Sequence, residues 1–124
     1  MRLQLIWASL ALAAQPLTAA AEAKAPLHCA ITEYCADGDC AAPEGDEAKL
    51  SLNLLSDETA SLSYRGEEIA LFAGAAAGSA KRWSGKNALG EVQSFALKPD
   101  GAFLAVTVFE GTTTAKASGQ CEGA

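Results

Sequence analysis

Four cysteines constrain this chain more than any other feature. Cys29, Cys35 and Cys40 fall close together, and Cys121 stands far downstream. What they can do depends on the compartment, and the first residues bear on that. They read MRLQLIWASLALAAQPLTAAAEA: one basic residue, Arg2, then an apolar run from Leu3 to Ala14, then Pro16 and a stretch of small residues. Ala19-Ala20-Ala21 and Ala21-Glu22-Ala23 both present the Ala-x-Ala pattern that signal peptidase reads. This order predicts a signal-peptide helix over residues 1–21, with cleavage as far as residue 23 as an alternative. The apolar run falls short of the ~20 residues a bilayer core requires, which argues against an anchor. No later segment is apolar enough to span a membrane as a helix, so no span is expected after cleavage. The expected location is periplasmic or secreted.

Residues 22–124 then form a single domain of about 100 residues, whose core is small enough to gain from cross-links. In an oxidising compartment four cysteines read as two disulfides. Three pairings exist. The favoured one joins Cys35 to Cys40 around Ala36–Asp39, a segment short enough to bring their Cα atoms within about 7 Å. Cys29 would then pair with Cys121, tying the first strand to the last, and closing such a loop is worth about 4–5 kcal/mol in the chain-entropy model.

The mature chain alternates short patterned runs with turn residues, the rhythm of antiparallel β-structure. Leu27 to Tyr34 reads as a strand with Leu27, Cys29, Ile31 and Glu33 on one face. Asp37-Gly38-Asp39 reads as a turn. Leu50, Leu52 and Leu54 alternate cleanly, as do Ala60, Leu62 and Tyr64, then Ile69 and Leu71. Ala73 to Ala80 reads as a loop. Lys98-Pro99-Asp100-Gly101 has the residues of a type I-like turn. Ala102 to Phe109 is apolar on both faces, as in a strand that closes a barrel or is covered on both sides. The count is about seven or eight strands. The expected fold is all-β: a small antiparallel up-and-down barrel or a two-sheet sandwich.

Chemistry-bearing groups are few. The only histidine is His28, and oxidised cysteines nominate no nucleophile, so no catalytic residue is assigned. The acidic pairs Asp46-Glu47, Asp57-Glu58 and Glu67-Glu68 sit at predicted turns and are best read as solvated, although paired carboxylates are the one route to a small hydrolase. Zinc ligation by the cysteine cluster lacks the usual knuckle spacing, a calcium loop at Asp37 lacks its glycine and terminal Glu, and Cys-x-x-Cys is absent. No metal and no cofactor are expected. The net charge of −6 becomes −7 when Arg2 leaves with the signal, which argues against nucleic acid as a partner. The one basic cluster is Lys81, Arg82 and Lys86 around Trp83. It is either a strand with an inward tryptophan or a patch for a protein partner in the cell envelope, and it is the first candidate for partner binding.

The pattern Leu27-x-Cys29-x5-Cys35-x4-Cys40-Ala41, the late run FLAVTVFEG and the ending Gly119-Gln120-Cys121-Glu122 together resemble a group of small exported proteins of alphaproteobacteria. That resemblance implies a compartment but no activity and no catalytic residues. A weaker similarity is to periplasmic inhibitors of c-type lysozyme, small antiparallel barrels with bridged terminal cysteines and a Ser-Gly-x-x-Tyr loop. Ser84-Gly85-Lys86-Asn87-Ala88 carries the Ser-Gly, with Ala88 where the tyrosine would stand. The leading expectation is a non-enzymatic binding or envelope-maintenance protein. An inhibitor of lysozyme or another hydrolase is the alternative, and a small hydrolase the second.

Overall fold

The computed structural model describes residues 26–123. The predicted signal peptide lies outside the described residues. Among the described residues there are nine strands: β1 Leu27–Ala36, β2 Asp39–Ala41, β3 Lys49–Leu54, β4 Thr59–Tyr64, β5 Glu67–Ala73, β6 Lys81–Lys86, β7 Val92–Leu97, β8 Ala102–Phe109 and β9 Thr112–Glu122. A 3₁₀ turn, Gly45–Ala48, leads into β3. From β3 to β9 each strand pairs antiparallel with the next, and β9 returns to pair with β1 along most of its length. The meander thereby closes into an eight-stranded barrel. β2 is a short ninth strand that extends the edge of β1 beyond the point where β3 leaves it.

Local chemistry explains the meander. Three of its hairpins turn through two residues: Asp37-Gly38, Arg65-Gly66 and Glu110-Gly111. In each, both residues have positive φ, the type I′ geometry whose twist matches that of the flanking strands. All three lie at one end of the barrel. At the other end, Gly101 N–H donates to the Lys98 carbonyl (2.9 Å) and Lys98 N–H to that of Ala102 (2.9 Å), so the Lys98–Gly101 turn forms as its residues predict. Ala73–Ala80 is largely irregular, with one bridge between Ala77 and Ala80.

The alternating residues of β3, β4 and β5 point into the barrel as expected: Leu50 and Leu52, Ala60 and Leu62, Ile69 and Leu71 are all buried. Each fully buried leucine or isoleucine among them contributes about 1.5–3 kcal/mol. The closed end is filled by aromatic rings. Phe95 stacks on Phe103 with centroids 5.3 Å apart, and Trp83 tilts against Phe95 at 6.4 Å.

The phase of β1 departs from simple alternation. Its register with β9 slips where Ser118 faces Glu33 and Gly119 faces Ile31, leaving Thr32 as an extra residue. This β-bulge reverses the inward phase. Cys29 and Ile31 face in before it. After it Tyr34 packs against the core and Glu33 is exposed, so Glu33 does not share the face of Leu27, Cys29 and Ile31. The strand also runs on to Ala36, and Asp39 belongs to β2 rather than to the turn.

Candidate functional site

The interior of the barrel is not uniform along its axis, and the reason is residue size. On β8 and β9 the inward positions of the upper half are Ala105, Ala115 and Ala117. Facing them are Ile31, Leu50, Leu62 and Ile69. Small residues on one wall leave space that the opposite wall does not fill, and a cavity of about 340 Å³ opens at the end that carries the three tight hairpins. Eight strands enclose room for packed side chains or for one small ligand, and the mouth of a barrel is a common place for such a site.

The floor is apolar and the rim polar. Tyr34, Tyr64, Glu67, Asn87 and Glu91 stand around the opening, with Gln93, Thr107 and Thr114 on its wall. Much of the rim is already organised. Tyr64 Oη donates to the Glu47 carbonyl at 2.8 Å, Asn87 Nδ2 donates to Glu91 Oε1 at 2.7 Å, and Thr107 Oγ1 donates to Gln93 Oε1 at 3.0 Å. Asn87 Oδ1 also accepts from the N–H groups of Leu89 and Glu91, which shapes the β6–β7 loop over the mouth. The Tyr64 phenol has its pKa raised, first by burial and then by the neighbouring Tyr34, so it stays a neutral donor at physiological pH.

The residues singled out in sequence are dispersed. Trp83 is 5% exposed and belongs to the core, whereas Lys81, Arg82 and Lys86 are exposed along β6. The indole is therefore not a surface anchor beside those cations. Ser84 and Gly85 lie within β6 rather than in a loop, and a Cβ at Gly85 would overlap the Ala70 carbonyl. Glu67 and Glu68 take opposite faces of β5. Glu67 lines the cavity, and Glu68 accepts from Ser61 Oγ at 2.9 Å. Glu47 leans toward Arg65 at 3.8 Å on the exposed surface, a pair worth little.

His28 lies between Ser51 and Glu122 in the register of three adjacent strands. Those are the residue types of a nucleophile, base and orienting acid, but no hydrogen bond joins them on that open face. Glu33 stands beside Cys35 and Cys40. The two sulfurs are bonded to each other, so they offer no thiolate to a metal.

The disulfides pair Cys29 with Cys121 and Cys35 with Cys40, and no described cysteine is free. The first lies inside the barrel across the β1–β9 seam. The second spans the β1–β2 hairpin at the edge of the open end, so the first locks the seam away from the mouth and only the second lies beside it.

Sequence reasoning missed the mouth itself. Its signal lay in the small inward residues of the later strands, which matter only once the register sets them opposite the large ones. No family model matches the chain, and neither a curated protein nor a solved structure does. The fold and cavity together define a class: a small disulfide-stapled β-barrel with one end plugged and the other open.

Proposed function

We propose that this protein is an exported, non-enzymatic binding domain of the cell envelope, and that the open end of its barrel seats a small molecule with an apolar body. The cavity carries this reading. It has the apolar floor and few convergent polar groups that ligand sites share, and its volume falls at the small end of the roughly 300–1,000 Å³ such sites span. Export is supported by the leader-like residues 1–21 and by the disulfides, which persist in oxidising compartments.

The test is an NMR titration of the oxidised protein with the small-molecule fraction of an envelope extract. Shifts are expected at Ile31, Leu62, Ile69, Ala105 and Ala117. Shifts confined to Lys81, Arg82 and Lys86 would instead place binding on the basic strand, and a silent cavity would refute the proposed seat.

A further inference from the structure

We infer that the molecule seated in the barrel mouth is a small organic cation, with a compact apolar or aromatic body and a protonated amine or quaternary ammonium head. This rests on the mouth being the binding seat and adds the chemistry of what it selects.

Charge at the opening gives the sign. Asp37, Glu67 and Glu91 line the cavity against one cation, Lys116. Lys116 is exposed and opposes Cys35 in the register, on the face of β9 turned away from the core residue Ala117. An anionic head would meet carboxylates on two sides of the rim. A cationic head would meet Glu91, which Asn87 already orients through one oxygen, and Glu67 at the start of β5, which flanks β6 on its other edge along the same stretch of rim.

The aromatic rim favours the same sign. Tyr34 and Tyr64 lie next to one another at the opening, and the faces of such rings attract ammonium groups. Both rings pack against the core, so their positions are set before a ligand arrives.

The interior accounts for the body. Ile31, Leu50, Leu62 and Ile69 offer no hydrogen bonds from their side chains. The nearest polar pair on the wall, Gln93 and Thr107, bond to one another. The small volume suits a single ring or a short branched chain rather than a lipid.

Three probes with one body and three head groups separate the possibilities: phenethylamine, 2-phenylethanol and phenylacetate. Each is titrated at pH 7 into the oxidised protein and followed through the amides of Ile31, Leu62, Ile69, Ala105 and Ala117. Phenethylamine is expected to bind about tenfold more tightly than the alcohol, and the anion more weakly than either. In the double variant Glu67→Gln/Glu91→Gln that preference should shrink to near unity while the alcohol still binds. If the alcohol or the anion binds as well as the amine, the cation inference fails and the seat stands. An amine preference that survives the double substitution would also overturn the assignment. If none of the three moves the cavity amides at about 10 mM, a concentration that detects even very weak binding, the seat fails too.

Discussion

Cys29 and Cys121 stand directly opposite one another across the seam where the last strand returns to the first, with Cα atoms 3.9 Å apart. Both are buried, at 3% and 7% exposure, so the bridge is part of the barrel core as well as a lock on its closure. Cys35 and Cys40 also face each other, but across a hairpin only five positions apart in sequence. Loop entropy separates the two: about 4–5 kcal/mol for the seam and about 2 kcal/mol for the hairpin. Replacing both seam cysteines by serine should lower the melting temperature by tens of degrees or prevent folding. Replacing both hairpin cysteines should cost about half as much free energy. Thermal unfolding followed by circular dichroism checks the order, and equal losses would contradict it.

The bulge at Thr32 depends on Gly119. A Cβ there would overlap the Ala30 carbonyl oxygen and crowd the Thr32 nitrogen, and backbone cannot move aside as a flexible side chain can. Gly119→Ala should therefore destabilise the protein by about 1–3 kcal/mol. Gly74 has open space around the same position, and Gly74→Ala should change stability by no more than about 0.5 kcal/mol. Urea titration of the two variants measures the difference.

That bulge also marks where the sequence stops being legible. Alternation alone places Leu50, Leu52, Leu62 and Leu71 inward, because period two is a direct consequence of the pleat. The cysteine pairing follows from loop length and compartment. Yet alternation carried through β1 puts Glu33 inside, since an inserted residue leaves no mark in the pattern until its partner strand is known. The choice of barrel over sandwich was hidden for a related reason: closure is a pairing between β1 and β9, distant in sequence. The cavity was hidden furthest, because it arises from which small residues end up facing which large ones.

Trp83 fills the closed end, and its ring N–H is buried without an acceptor among the described residues. An unpaired buried donor costs about 1–3 kcal/mol. Trp83→Phe removes that donor and keeps most of the ring, so lost packing and relieved desolvation should largely cancel, leaving a net change below about 1.5 kcal/mol. Trp83→Ala opens a hole against Phe95 and should cost about 3–5 kcal/mol. Chemical denaturation of both variants tests this, and a phenylalanine variant as unstable as the alanine one would show that the donor carries no penalty.

Tyr64 ties the rim of the mouth to the segment before β3 through its bond to the Glu47 carbonyl. Burial first, and Tyr34 second, raise its pKa above the ordinary value of 10.0. The native state therefore holds this proton more tightly than the unfolded chain does. Its contribution to stability is complete below pH 10 and is lost as pH climbs from there through the raised value. Tyr64→Phe should cost about 0.5–1.5 kcal/mol at pH 7 through the lost hydrogen bond. It should also flatten the fall in stability at alkaline pH relative to the parent protein. Denaturant midpoints measured from pH 7 to about pH 11 for both proteins decide it: parallel alkaline slopes would mean that the proton on Tyr64 does not couple to folding.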